Sequence, residues 1–168
     1  RFLGHPTKGA EMSQRALRRL RFSNREIKMV SGIVTEHLRP GLLTRTEEPP
    51  TRRAVYRFFR DAGDIAVDTL FLSFADMLAA RGPLLEDQEW RRYAGRISGI
   101  LQSSRERRPE VRPVRLIDGH DLMREYGLEP GRRVGEVLDA ILESQAAGEI
   151  ASREEAIAMA GRLLGVTA

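Results

Sequence analysis

Residues 116–160, reading LIDGHDLMREYGLEPGRRVGEVLDAILESQAAGEIASREEAIAMA, are so densely punctuated that they leave room for little besides three short helices. Asp118-Gly119 signals a turn ahead of a helical run at 120–126, and Gly127 ends that run as a residue tolerant of positive φ does. Pro130-Gly131 opens a second helix, in which Val134, Val137, Leu138, Ile141 and Leu142 recur at the spacing of one apolar face. Gly148 closes it. Ser152-Arg153-Glu154-Glu155 is a capping box for a third helix, because the Ser152 hydroxyl can accept from the Glu155 amide while Glu155 reaches back.

The rest of the chain reads as more helix. Pro6 suits a first turn, followed by a buried stripe of Ala10, Ser13, Ala16, Leu17 and Leu20 and an opposite face of Lys8, Glu11, Arg15, Arg18 and Arg19. Ser23-Asn24-Arg25-Glu26 is a second capping box. Its helix buries Ile27, Val30, Ile33, Val34 and Leu38 and is expected to stop at Pro40-Gly41, with a loop at 41–50. A third helix at about 51–62 carries Val55, Phe58 and Phe59 beside Arg52, Arg53, Arg57 and Arg60. Asp64 can cap a fourth at 65–81, apolar nearly all round and so expected at the centre of a bundle. A fifth, at about 86–104, aligns Trp90, Tyr93, Ile97, Ile100 and Leu101.

Residues 106–115, ERRPEVRPVR, have two prolines and no apolar period, as an extended linker does. The one β-like pattern is a weak run at 111–117. The expected architecture is all-α: a helical bundle at 1–105, a linker at 106–115 and a helical tail module at 116–168.

Several function classes drop out. No apolar stretch is long enough to span a bilayer and no signal-peptide core is present, so no membrane partner is expected. The absence of cysteine excludes disulfides and thiolate metal sites and fits a cytoplasmic location. The chain starts at Arg1 without an initiator Met and is expected to be part of a longer polypeptide.

Its net charge of +4 hides an asymmetry. Residues 1–60 hold 14 Lys and Arg against 5 Asp and Glu, residues 61–115 hold 9 of each, and residues 116–168 hold 5 against 10. A polyanion partner is therefore expected on the first third. Arg15, Arg18, Arg19, Arg21 and Arg25, with Arg52, Arg53, Arg57 and Arg60, can neutralise phosphates without reading bases. Pro130-Gly131-Arg132-Arg133 brings helix-start amides and two guanidinium groups together, an anion-sized spot. The plainer alternative for both is a solvated helix face.

Three histidines are present. His37 lies on or beside the apolar face of its helix, and His5 just before its own. Thr69, Ser73 and Asp76 form a polar stripe on the apolar fourth helix, where a carboxylate has to be paired, hydrogen-bonded or metal-bound. On their own these read first as satisfied core polar groups.

Two resemblances extend these readings. Gly119, Asp121, Leu122 and Met123, then Gly127, Pro130 and Gly131, then Gly135 and Leu138 resemble the C-terminal tail of bacterial tRNA nucleotidyltransferases and poly(A) polymerases, the CCA-adding family; Arg132 replaces the proline usual after Pro-Gly. GHPTKGAEMS at 4–13, EHLRP at 36–40 and LSFADMLAARG at 72–82 resemble the later part of an HD domain, from the metal-dependent phosphohydrolase superfamily, in the version fused behind nucleotidyltransferase heads.

The HD resemblance implies His5, His37 and Asp76 as part of a metal-ligand set for Mg²⁺ or a transition metal that activates water on a phosphoester. The His-Asp doublet that should precede them is absent. His120-Asp121 comes too late in chain order to replace it, so His120 is expected outside any metal site.

The family resemblance implies that the chain docks tRNA or other structured RNA for an N-terminal nucleotidyltransferase head. That head, with its Gly-Ser motif and Asp-x-Asp carboxylates, is not in this sequence. No independent activity and no cofactor requirement is expected of the chain, a divalent metal belonging to the complete parent. The RNA-binding set is then Arg15, Arg18, Arg19, Arg52, Arg53, Arg132 and Arg133. Two other readings stay open, an HD-type phosphohydrolase fragment acting on nucleotides or phosphodiesters and a non-catalytic helical interaction module.

Overall fold

The computed structural model describes residues 3–46, 48–106, 108 and 110–166. Among them are nine α-helices and no strand: α1 (His5–Arg19), α2 (Asn24–Glu36), α3 (Arg39–Leu43), α4 (Arg52–Ala62), α5 (Ala66–Arg81), α6 (Asp87–Arg105), α7 (Gly119–Tyr126), α8 (Arg132–Ala147) and α9 (Arg153–Leu164). The fold is all-α, and the β-like run at 111–117 is irregular, with a turn and bends but no strand. None of these helices is long and apolar enough to cross a membrane. The chain divides into two compact units, Arg1–Pro50 with Phe58–Gln102 and Thr51–Arg57 with Ser103–Ala168. Arg107 and Pro109 of the expected linker lie outside the described residues, as do Thr167 and Ala168 at the end of the tail module.

In the first unit the capping box at the start of α2 forms as its spacing requires. Ser23 Oγ accepts from the Glu26 amide at 3.3 Å, and the Ser23 amide donates to Glu26 Oε2 at 2.8 Å. Pro40, by contrast, does not end the helical course. It takes the second position of α3, where a missing N–H removes no helix bond, and Leu38 is left exposed. Small residues allow close packing along α1 and α2: a Cβ on Gly9 would lie 3.2 Å from Val34 Cγ1, and one on Gly32 only 2.7 Å from Ile65 Cδ1.

Asp64 makes no side-chain cap. It sits in a 3₁₀ turn, Gly63–Ile65, that feeds directly into α5. That helix buries Ala66, Thr69, Leu70 and Ser73, and the two hydroxyls of its polar stripe are satisfied by its own backbone: Thr69 Oγ1 donates to Ile65 O at 2.8 Å and Ser73 Oγ to Leu70 O at 2.6 Å. The expectation of a helix buried all round is corrected, because Val67, Phe71 and Leu78 are exposed. The α1 stripe is likewise shorter than its periodicity implies, with Ala16 and Leu20 exposed. Phe58, Leu70 and Ile97 are fully buried, and Phe74 packs edge-on against Trp90 and Tyr93, centroids 5.6 and 5.9 Å apart.

The second unit forms around Leu122, Val134, Val137, Ile141, Ile150, Ala156 and Ala160, with Ile117 leading in. Each large side chain here contributes about 1.5–3 kcal/mol of burial. Tyr56, from the first turns of α4, packs with Leu142 and Ala146 of α8. Gly127, Gly148 and Gly165 stop α7, α8 and α9 in left-handed conformation, with φ of 63°, 80° and 74°.

Candidate nucleic-acid interface

The corner between α1 and α2 combines charge with strained backbone. The end of α1 is a Schellman motif: Phe22 N donates to Leu17 O and Arg21 N to Arg18 O, both at 3.0 Å. The same pair of bonds ends α8 (Glu149 N to Ser144 O, Gly148 N to Gln145 O) and α9 (Val166 N to Gly161 O, Gly165 N to Arg162 O). There the left-handed residue is glycine. In α1 it is Arg21, at φ 61°, the one non-glycine residue with positive φ among those described. A side chain in that conformation costs roughly 1–2 kcal/mol.

Arg15, Arg18, Arg19, Arg21, Arg25 and Lys28 are all exposed, and none has a side-chain hydrogen bond or ion pair among the described residues. Across residues 12–35 these six cations face one carboxylate, Glu26. Its charge is already used, since the Ser23 hydroxyl and amide hydrogen-bond to it and hold its pKa below the ordinary value. Arg25 and Lys28 also line a cleft of about 750 Å³ whose other wall includes Asp61 and Asp64.

The other basic residues named by the sequence are engaged. Arg53 pairs with Glu149 at 2.6 Å and Glu143 at 3.6 Å, Arg57 with Glu143 at 2.5 Å, and Arg52 with Glu110 at 3.6 Å. Arg60 holds Asp61 at 2.7 Å, which Arg39 also binds at 2.6 Å. At the start of α8, Arg132 pairs with Glu136 at 2.8 Å, and Arg133 donates to Leu163 O at 2.7 Å. An anion at Gly131–Arg133 therefore has to compete with Glu136. Free cations sit on α1 and the start of α2, while those of α4 and α8 hold their units together.

Among the candidate metal ligands, His5 Nε2 approaches His37 Nε2 to 3.3 Å, with the rings edge-on at 62°. His37 Nδ1 lies 2.6 Å from Val34 O. A carbonyl only accepts, so Nδ1 carries a hydrogen and is the donor in that contact. Asp76 and His37 line one cleft of about 350 Å³ with Val34, Leu72, Ala75 and Ala79. Among the described residues no three His, Cys, Asp or Glu side chains are grouped so as to share a metal ion. His120 is exposed on α7, in the second unit.

Two features escaped the pattern of the sequence. Asp118 and Asp121 form a reciprocal capping box at the start of α7, with both bonds 3.0 Å long, where the sequence offers a turn signal and the usual box has Glu or Gln as its second member. The left-handed conformation of Arg21 carries no residue-type signal at all.

Residues 114–160 match the family model for tRNA nucleotidyltransferase domain 2. Over 156 residues, 93% of this chain, it is 36% identical to the CC-adding tRNA nucleotidyltransferase of Thermus thermophilus, of which the match covers 32%. Over 161 residues, 96% of this chain, it is 32% identical to the A-adding tRNA nucleotidyltransferase of Deinococcus radiodurans, of which the match covers 35%. The chain thus spans about a third of the length of the curated relatives it matches. No solved structure matches it. Over nearly all of its length the chain is thus similar to tRNA nucleotidyltransferases.

Proposed function

We propose that the chain docks tRNA for a nucleotidyltransferase head in its parent protein, and that the free cations of α1 and α2 are the docking surface. The observation that carries this reading is the contrast between engaged and unengaged arginines: Arg15, Arg18 and Arg19 follow one another at three and one along an exposed helix, with no carboxylate among the described residues neutralising them. A 15-residue helix is roughly 22 Å long, enough to lie along several backbone phosphates. Such contacts fix position and carry no sequence information, as suits a segment that holds RNA while chemistry proceeds elsewhere. Both relatives named above are tRNA nucleotidyltransferases, which supports tRNA as the polyanion. Arg52, Arg53, Arg132 and Arg133 would have to exchange a carboxylate or carbonyl for phosphate, and are secondary contacts on this reading.

Titration of the chain with tRNA between roughly 50 and 200 mM salt tests the proposal. Affinity should fall steeply with salt, and Arg15→Ala/Arg18→Ala/Arg19→Ala should flatten the logarithmic slope by roughly 2–3, at about 0.7–0.9 per lost phosphate contact. Equal slopes for the two proteins would sink the reading.

One observation favours a second reading, a metal-dependent phosphohydrolase segment: the approach of His5 to His37 beside the cleft that Asp76 lines. It requires hydrolysis of a phosphodiester by this chain with added Mg²⁺ or Mn²⁺, whereas the docking reading requires none.

A further inference from the structure

We propose that the corner formed by Arg21 and Phe22 binds one unpaired nucleotide of the docked RNA, Arg21 taking the phosphate and the Phe22 ring stacking on the base. This rests on the RNA-docking reading and narrows it to a contact point. Arg21 occupies the position that the equivalent α8 and α9 turns give to Gly148 and Gly165. Its side chain makes no hydrogen bond or ion pair among the described residues, so no partner within them offsets its conformation. Strain kept without an internal partner points to an external one.

Phe22 follows directly. The position after a left-handed helix stop commonly carries an apolar residue that covers the last turn, and an aliphatic side chain would serve. Here the residue is aromatic, 45% exposed, and in no ring contact with another aromatic among the described residues; the neighbouring Leu20 is 64% exposed. Exposed apolar surface among five free arginines and a lysine is poorly placed for a protein core and well placed for a nucleobase. Stacking needs a base whose face is open, which selects an unpaired nucleotide over a helical stem.

The test uses the whole chain and two RNA hairpins, one blunt-ended and one with an unpaired 3′ extension. The wild type should bind the extended hairpin at least about 5-fold more tightly. Phe22→Leu, which keeps an aliphatic cover on α1, should lose that preference and bind the blunt hairpin as the wild type does. Phe22→Tyr, which keeps the ring, should retain it. Arg21→Gly should raise the melting temperature while weakening binding of both hairpins and reducing the salt slope by about 0.7–0.9. Salt-dependent wild-type binding of both hairpins without preference, or an unchanged preference in Phe22→Leu, overturns the stacking site while docking stands. An Arg21→Gly protein that is more stable and binds as the wild type does overturns the role of Arg21. Failure of the wild type to bind either hairpin removes the docking reading itself, and this site with it.

Discussion

Asp121 and Arg153 meet in a two-point ion pair, Nη2 to Oδ1 at 2.6 Å and Nη1 to Oδ2 at 3.0 Å, that joins α7 to α9. The same carboxylate accepts from the Asp118 amide and from Arg124, with only 14% of its side chain exposed. The Arg153 hydrogen bonds, with that of Asp118, hold its pKa far below the usual carboxylate range. A pKa lowered in the folded state means stabilisation present above the unfolded value, about 3.9, and lost as pH falls from there toward the folded one. The urea midpoint should therefore drop between about pH 5 and pH 2, and Asp121→Asn should be less stable at pH 7 with a flatter dependence. Glu26, Asp61 and Glu154 are also held low, so the decisive quantity is the difference between the two proteins across this window. A constant difference would remove the assignment to Asp121.

Gly161 sits directly against backbone in the tail module. A Cβ there would lie 2.9 Å from the carbonyl oxygen of Val166 and 3.0 Å from the Tyr126 hydroxyl, which donates to Ile157 O at 2.6 Å. Backbone cannot retreat cheaply, so Tyr126 must move and lose its hydrogen bond. Gly161→Ala should cost about 1–3 kcal/mol in chemical denaturation, although alanine is the better helix former. In a Tyr126→Phe background the penalty should shrink, because one of the two obstructions is gone.

Ser23→Ala removes the hydroxyl that caps α2 and should cost about 1 kcal/mol. Among the described residues the Ser23 side chain hydrogen-bonds to Glu26 and to no cation, so the salt slope of tRNA binding should stay within error of the wild type. A large change in slope would mean that the corner is held in its RNA-binding form by this cap.

The fold was legible where one residue type decides a local outcome. Ser23 and Ser152 cap where their spacing with Glu26 and Glu155 says, and Gly127 and Gly148 stop helices because they accept positive φ. It was not legible where two outcomes share a pattern. Pro40 suits both a helix stop and a second helical position, and the chain used the second. The uniform apolarity of α5 could not tell a central helix from one with an exposed Val67, Phe71 and Leu78 edge. For the candidate site, the sequence located basic charge but not its state. Whether an arginine is free depends on carboxylates far along the chain, such as Glu143 and Glu149 for Arg53, and no local periodicity records that.

That distinction gives the sharpest separation of structure from binding. Glu143 is 14% exposed and pairs with Arg57, 86 residues away in sequence, and with Arg53, which also pairs with Glu149, 96 residues away. Arg53→Ala/Arg57→Ala removes two cationic partners from a poorly hydrated carboxylate, and should lower stability by about 1 kcal/mol or somewhat more. Its tRNA affinity, measured well below the melting temperature, should stay within about twofold, since each guanidinium already spends its charge on glutamate and each twofold is only about 0.4 kcal/mol. The α1 triple variant should behave in the opposite way, with stability held to within about 0.5 kcal/mol, as for exposed and unpaired side chains, and affinity lost. A double variant of α4 that weakens RNA as much as the α1 variant does would show that phosphate can displace Glu143 and Glu149, and would extend the docking surface to α4.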